Sequence, residues 1–289
     1  METPFFFIVV WVPRRVPVES RGWELYHGAM KLFDTHTHLQ DLRLEKKVDE
    51  MMARAQRAGV AACLVCGTRQ EDWPGVLMVS ESFAEALPAY GVHPWFVKDL
   101  SVDWLTALAV FLEKSRAVAV GEVGLDFKVE KESRELQEEV FVAQLRLAKD
   151  LRLPLSIHCR KAWGRMVELL KQEGGLPYGG AIHSFSGSVE MVREFERLGA
   201  FISFSGSLTR PANLKVKKAA KAVSNERLLI ETDSPDILPE DVSGPLNEPA
   251  YVVEVVRSLA DVRGDTLESI AEITWNNAST LFYRRDKTL

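Results

Sequence analysis

The amino-acid sequence predicts a fold of the α/β class, a (β/α)8 TIM-type barrel in one domain. Eight short apolar or β-branched runs recur along the chain. Most successive runs begin roughly 20 to 37 residues apart, the length that a parallel strand and its crossover helix require. The chain has 289 residues, and a barrel of this type needs about 250. The predicted strands begin near Leu32, Ala61, Ala89, Ala117, Pro154, Ala181, Ala200 and Leu228.

Longer stretches with helical periodicity lie between these strands. Three of them end at a glycine, Gly59, Gly174 or Gly199, the residue that helix C-termini favour. Two further helices follow the eighth strand, and Asp265 stands where the last one needs an N-cap. The predicted helices span residues 44–58, 102–114, 133–151, 162–173, 189–198, 214–223, 248–262 and 266–282.

Residues 1–30 differ from the rest of the chain. The apolar run from Phe5 to Val12 is too short to cross a membrane, and Arg14 and Arg15 follow it, whereas a signal peptide carries its positive charge in front. Met30 stands directly before the first strand and is a candidate translation start. We therefore expect an N-terminal extension over 1–30, outside the fold, and one barrel domain over 31–289.

Composition excludes several classes of protein. With 46% hydrophobic and 27% charged residues, the chain is neither disordered nor fibrous. The net charge of −5 argues against a protein that coats nucleic acid through bulk positive charge. Three cysteines without a secretory leader favour a reducing compartment, so we expect the cytoplasm. The Cys63-Leu-Val-Cys66 run is apolar and predicts a buried strand over a zinc or redox motif.

Polar side chains follow the predicted strands where a barrel carries its active site, at the strand C-termini. His36 and His38 are two residues apart, so in a strand both imidazoles point the same way. Five of the six histidines stand at predicted strand ends. These histidines are joined by two carboxylates, which gives the set His36, His38, His93, Glu122, His158, His183 and Asp233.

The number of these side chains predicts two metal ions. One open catalytic zinc site uses three or four protein ligands, whereas four histidines with Glu122 and Asp233 suit a pair of ions. Glu122 is the natural bridge, because a carboxylate offers two oxygens and this one comes from the middle of the set. Mixed nitrogen and oxygen ligands favour zinc or manganese over magnesium.

Seven short motifs stand in order along the chain: His36-Thr-His38, Gly91-Val-His-Pro94, Gly121-Glu-Val-Gly-Leu-Asp126, Ile157-His-Cys-Arg160, His183-Ser-Phe-Ser-Gly-Ser188, Glu231-Thr-Asp-Ser-Pro235 and Asn247-Glu-Pro249. Together they resemble the TatD family of metal-dependent deoxyribonucleases, from about Leu32 to Phe282. The resemblance implies a metal-dependent hydrolase barrel with two divalent cations (zinc, manganese or magnesium). It also implies an exonuclease-type activity on DNA phosphodiesters, with single strands or DNA ends as the expected substrate. Asp236 follows the Glu-Thr-Asp-Ser-Pro motif where an aromatic residue is common, and His183 is followed by Ser-Phe where Cys-Phe is frequent. The implied metal ligands are His36, His38, Glu122, His158, His183 and Asp233.

Further roles are expected around this centre. Asp233 is the candidate to accept a proton from the attacking water, and His93 to support the ligands or contact the leaving group. Arg160 could grip a phosphate or form a surface salt bridge. Asp126, Asn247 and Glu248 are expected to orient ligands or close the pocket, with structural hydrogen bonding as an equal alternative.

Residues outside the ligand set could contact nucleic acid. Arg210 and Lys215 follow the seventh strand and could track the phosphates of a strand. Trp95 and Phe96 could stack a base or pack in the core.

Two other functions are compatible with the sequence. A barrel with a His-x-His metal site could hydrolyse a small-molecule ester, lactone or amide, because fold does not decide function. A non-catalytic scaffold is the other, although it would be expected to have lost ligands. Glu122 and the basic residues near the seventh strand favour phosphodiesters. We expect no membrane association, and the sequence leaves the oligomeric state open.

Overall fold

A computed structural model describes residues 30–129 and 131–283. Eight parallel strands form one sheet in the order β1 to β8, and helices alternate with them along the chain. The predicted (β/α)8 barrel is therefore confirmed. Residues 1–29 lie outside the described residues, so the expected extension stays a prediction. The strands are β1 (Leu32–Thr37), β2 (Val60–Cys66), β3 (Ala86–Tyr90), β4 (Ala119–Asp126), β5 (Leu155–Arg160), β6 (Gly180–Ile182), β7 (Ala200–Phe204) and β8 (Leu228–Ile230).

The end of β1 pairs with the chain that follows β8. Thr37 and Ser234 form a parallel bridge, and the His38 amide donates to the Ser234 carbonyl at 2.7 Å. The Asp233 amide donates to the His36 carbonyl at 2.9 Å. This contact brings the sheet almost to closure, and it places the β1 histidines beside the carboxylate of Asp233.

Nine α-helices surround the sheet within the described residues, and one of them was missing from the sequence prediction. It spans Trp73–Ser82, and its faces differ little in polarity, so it lacks the amphipathic pattern that marks a helix. The predicted cap of the last helix was wrong, since Thr266 accepts from the Ser269 amide in place of Asp265. The helices are α1 (Val48–Arg57), α2 (Trp73–Ser82), α3 (Trp104–Lys114), α4 (Arg134–Asp150), α5 (Trp163–Gln172), α6 (Val189–Arg197), α7 (Leu214–Ala222), α8 (Val252–Arg263) and α9 (Leu267–Phe282).

Glycines act at two kinds of position. Gly59, Gly174 and Gly199 have φ of +87°, +80° and +91°, the left-handed conformation expected after a helix. Gly124 lies opposite His158 in the β4–β5 pair, and a Cβ at this position would lie 1.9 Å from the His158 carbonyl oxygen. This absence of a side chain lets the strand that carries Glu122 approach the strand that carries His158.

Strand β2 contains the Cys63-Leu-Val-Cys66 run. Both cysteines are buried, and with Cys159 they are free thiols, so the buried-strand interpretation is confirmed. In the part of the chain that the structure describes, no helix is both long and apolar enough to cross a membrane.

Candidate metal centre

All six predicted metal ligands meet at the C-terminal end of the barrel. His36 lies in β1, Glu122 in β4 and His158 in β5. His38, His183 and Asp233 come from the loops after β1, β6 and β8. Side chains alternate between the two faces of a strand, and the chain after β8 contacts the end of β1. These two features bring together side chains that are almost 200 residues apart in the sequence.

The Glu122 carboxylate lies between two groups of these ligands. Its Oε2 atom is 3.4 Å from His36 Nε2 and 3.3 Å from His38 Nε2. Its Oε1 atom is 3.0 Å from His158 Nδ1 and 2.8 Å from His183 Nε2. We call His36, His38 and Asp233 the β1–β8 half of the centre, and His158 and His183 the β5–β6 half. One carboxylate oxygen of Glu122 faces the histidines of each half.

In the β1–β8 half, two imidazole nitrogens face each other. His36 Nε2 and His38 Nε2 are 3.1 Å apart, and Asp233 Oδ1 lies 3.8 Å and 3.6 Å from them. His38 Nδ1 donates to the Cys66 carbonyl at 2.8 Å, because a carbonyl can only accept. When the ring is deprotonated, as a metal ligand must be, His38 therefore directs the lone pair of Nε2 into the centre.

The β5–β6 half repeats this arrangement with other partners. His158 Nδ1 and His183 Nε2 are 3.1 Å apart. The outward nitrogens face carboxylates, His158 Nε2 at 3.3 Å from Asp126 Oδ2 and His183 Nδ1 at 3.4 Å from Glu231 Oε1. A carboxylate oxygen accepts, so these outward nitrogens are placed to carry the protons, and the inward nitrogens carry lone pairs once the rings are deprotonated for metal binding.

Two imidazole nitrogens this close repel each other unless a proton or a metal cation lies between them, so each pair is a position that a metal can take in place of a proton. The donor set is also right for a divalent metal, since imidazole nitrogens and carboxylate oxygens are its common protein ligands. Three overlapping groups of side chains have ligand atoms within 4.8 Å of one another. The residues therefore fit a metal centre. The groups are His36, His38 and Asp233; His36, Glu122 and His183; and His93, Glu122 and His158.

His93 lies in the third group but differs from the other histidines. Its Nδ1 accepts from the Trp95 amide at 3.1 Å, so the neutral ring carries its proton on Nε2. Burial lowers the pKa of His93 to about 3, against the opposing charge of Glu122. The Nε2 atom is 3.4 Å from Glu122 Oε1. His93 therefore presents an N–H donor to the centre, and it does not present a lone pair.

The two ligand carboxylates remain ionised although they are buried. Burial raises the pKa of Glu122, but the surrounding imidazoles, the positive charge of His183 and a hydrogen bond from His158 among them, outweigh it and hold that pKa well below its usual range. For Asp233, burial is outweighed by a hydrogen bond from His38, whose Nε2 carries a proton when no metal is bound, so the pKa of Asp233 is also lowered. The centre thus offers permanent negative charge to a cation.

Local backbone conformation directs Asp233 into the centre. Its φ of 60° is left-handed, a conformation that Asp tolerates better than most residues and that costs about 1 kcal/mol or more. The Asn247 side chain holds this loop, because its Nδ2 donates to the carbonyls of Thr232 and Asp236, each at 2.8 Å. Asn247 therefore holds the loop that carries Asp233, by hydrogen bonds to its backbone. Glu248 instead pairs with Arg54 at 2.6 Å, and this contact anchors α1.

A cavity of about 1070 Å³ opens over the centre. Arg160 and Trp95 line it, and both contact Asp126: the guanidinium lies 3.8 Å from Oδ2 and the indole N–H donates to the same atom at 2.8 Å. Trp95 is 54% exposed and so is not core. Arg210 and Lys215 are exposed and are not among the lining residues. Their contact with substrate stays a prediction.

Sequence reasoning missed several supports of the centre. Glu231 was given no role although it follows a buried strand, which was a usable signal. Ser156, whose hydroxyl is 2.8 Å from His36 Nδ1, gave no signal, because only strand register places it there. Arg43 binds Asp41 and Asp236 at the cavity mouth, at 2.7 Å and 2.9 Å. Asp236 is the residue at which the chain departs from the family pattern. Its carboxylate is held by the guanidinium of Arg43.

A barrel with histidine and carboxylate clusters at the C-terminal ends of its strands defines a metal-dependent hydrolase. The family model of TatD related DNases matches residues 33–283, and the chain belongs to this family. Among curated proteins it is 36% identical to the uncharacterised metal-dependent hydrolase YabD of Bacillus subtilis, over 87% of the chain and 98% of that protein. It is 33% identical to the 3′-5′ ssDNA/RNA exonuclease TatD of Klebsiella pneumoniae, over 87% and 97%.

A solved structure agrees with this assignment. The TatD homologue YjjV of Escherichia coli superposes with a TM-score of 0.83 at 32% identity, over 88% of the chain and 98% of YjjV. The architecture predicted from the spacing of apolar runs is therefore also the architecture of a relative.

Proposed function

We propose that this hydrolase cleaves DNA phosphodiester bonds as an exonuclease on single strands or DNA ends, using two divalent cations. The observation that carries the proposal is the Glu122 carboxylate, shared between two pairs of histidines whose inward nitrogens are 3.1 Å apart in each pair. Two-metal centres are frequent in phosphodiester hydrolysis. Relatives named as ssDNA/RNA exonucleases support nucleic acid as the substrate.

The proposed chemistry divides the work between metal and protein. The bound cations would supply Lewis-acid stabilisation of the phosphate and lower the pKa of the attacking water. Asp233 accepts the proton of that water, because its carboxylate is ionised and faces the centre. Glu122 keeps the two halves in register through its two oxygens.

His93 and Arg160 act on the phosphate. The His93 ring is neutral with its proton on Nε2, so it donates a hydrogen bond to a phosphoryl or leaving-group oxygen. Arg160 lines the cavity with its side chain 45% exposed, so the guanidinium can reach a phosphate entering from solvent. Trp95 presents an exposed indole next to these groups, and a base of the substrate stacks on it.

Free thiols support a reducing, cytoplasmic location.

One observation favours a second candidate, the hydrolysis of a small-molecule ester, lactone or amide. Acidic side chains outnumber arginines around the cavity, and such a lining repels a polyanion. Two cations would offset part of this charge when bound, and Arg43 offsets another part by pairing with Asp41 and Asp236. The acidic residues outside the ligand set are Asp41, Glu45, Asp49, Glu71, Asp72 and Asp236, and the arginines are Arg43, Arg69 and Arg160.

The two candidates are separated by substrate. Metal-stripped protein receives magnesium, manganese or zinc and is given a 5′-labelled single-stranded oligonucleotide, alongside a panel of esters, lactones and amides. We expect a ladder of shortened DNA with added metal, lost in Glu122→Gln and retained in the exposed control Glu113→Gln. Turnover of a panel compound, with the oligonucleotide intact under every ion, would contradict the nuclease proposal.

A further inference from the structure

A second cavity lies beside the one over the metal centre. Its volume is about 220 Å³, and it is lined by residues of the loop after β2 and of the segment after β3. Arg69, Glu71 and Phe96 line both cavities, so the two are adjacent. The remaining lining residues of the smaller cavity are Gln70, Val92, Asp99 and Leu100.

The wall between the two cavities carries a stacked cation and ring. The Arg69 guanidinium carbon lies 4.9 Å from the centroid of the Phe96 ring. Among the described residues no carboxylate lies within ion-pair distance of Arg69, although Glu71 and Asp99 line the same cavity. A guanidinium and an aromatic ring are the two protein surfaces on which a flat heterocycle stacks.

Charge around the smaller cavity identifies which part of a nucleotide fits. Glu71 and Asp99 outnumber the single cation Arg69, so the cavity disfavours a phosphate, whereas Val92 and Leu100 supply apolar surface. An uncharged planar ring therefore suits the cavity, and an anionic group does not. The carboxylates can accept hydrogen bonds from exocyclic amino groups, so adenine, cytosine and guanine suit it better than thymine.

Only a few residues of the chain separate the smaller cavity from the metal centre. His93, which faces Glu122, caps the 3-10 helix Pro94–Asp99, and that helix carries Trp95 and Phe96. We propose that the smaller cavity, which the Arg69–Phe96 pair lines on one side, is a subsite for one unpaired nucleobase close to the cleaved phosphodiester. This subsite rests on the proposed nuclease function and adds to it a reason for selecting single strands, because a paired base cannot enter.

The test scans a single-stranded oligonucleotide with one abasic nucleotide at each position from the cleaved end. We expect one position at which base removal lowers kcat/KM by roughly 5- to 100-fold, the effect of one stacking contact. Phe96→Leu keeps apolar volume and removes the ring, and Arg69→Gln removes the cation. Each should lower kcat/KM on intact DNA and have little further effect on the substrate that is abasic at that position.

Controls separate the subsite from folding and from the nuclease function. Tyr178→Leu, an exposed aromatic at the opposite end of the barrel, should leave every rate unchanged. Equal losses on intact and abasic DNA in Phe96→Leu would assign Phe96 a structural role and overturn the subsite. Normal cleavage by both cavity variants would also overturn it and leave the nuclease function standing. Failure of the unmodified protein to cleave any oligonucleotide would overturn both.

Discussion

The two halves of the metal centre hold their histidines by different means. In the β1–β8 half, the outward nitrogens meet neutral groups, the Ser156 hydroxyl and the Cys66 carbonyl. In the β5–β6 half they meet the carboxylates of Asp126 and Glu231. Asp233, by contrast, faces the β1–β8 half directly, at 3.6 Å from His38 Nε2.

The comparison shows two ways of giving a metal site negative charge. One half places a carboxylate among the ligands, and the other places carboxylates behind the imidazoles, where they increase the basicity of the ring. Glu122 adds its charge to both. The halves should therefore respond differently to mutation, and the predictions below test that difference from the largest effect to the smallest.

Loss of the shared carboxylate should damage both halves at once. We expect Glu122→Gln to lower metal-dependent hydrolysis by about 10³-fold or more, since it removes a bridging charge worth several kcal/mol of transition-state stabilisation. Metal content and kcat are measured together after dialysis against each ion. Retention of two metal equivalents with normal kcat would show that Glu122 does not join the halves.

Asp233→Asn should affect mainly the β1–β8 half. We expect kcat to fall by about 10² to 10⁴-fold, the range for loss of a general base, with the β5–β6 ligands still binding metal. The pH dependence of kcat distinguishes base from ligand. If high metal concentration restores full kcat, Asp233 serves only as a ligand.

A matched pair of variants compares the residues that contact the outward nitrogens of the histidines in the two halves. Asp126→Asn should weaken metal binding in the β5–β6 half by about 10 to 100-fold, because it removes a charged partner of His158. Ser156→Ala should weaken the β1–β8 half only about fivefold, the value of one neutral hydrogen bond. Calorimetric titration of metal-stripped protein gives both affinities. Equal losses would show that the charge of the support is irrelevant.

The last prediction concerns the stability of the fold beneath the centre and is separate from metal binding and catalysis. Burial raises the pKa of Asp34 to about 8, despite hydrogen bonds from Thr232. Between about pH 4 and pH 8 the folded state therefore holds a proton that the unfolded chain releases, and the free energy of unfolding falls as pH rises, by up to ~1.4 kcal/mol per pH unit. Asp34→Asn should remove this slope in denaturant titrations with chelator. Parallel pH profiles for the two proteins would refute it.

Local sequence patterns predicted the candidate metal ligands. The residues that hydrogen-bond to those ligands are placed by the register between distant strands, which local patterns do not show. His36, His38 and Glu122 were found because apolar strands end in polar residues, which is a property of neighbouring residues. The contact of Ser156 with His36 depends on how several strands align around the barrel, and no local pattern records that alignment. Helix α2 was missed for a similar reason, since its burial is set by the strands that it covers and leaves little polar periodicity.

The central claim is that Glu122 joins two metal positions. Anomalous scattering from crystals soaked in manganese or zinc tests it directly. We expect two peaks about 3.5 to 4 Å apart, one next to His36, His38 and Asp233 and one next to His158 and His183, with Glu122 between them. A single peak at full occupancy, or a peak outside these residues, would contradict the two-metal account.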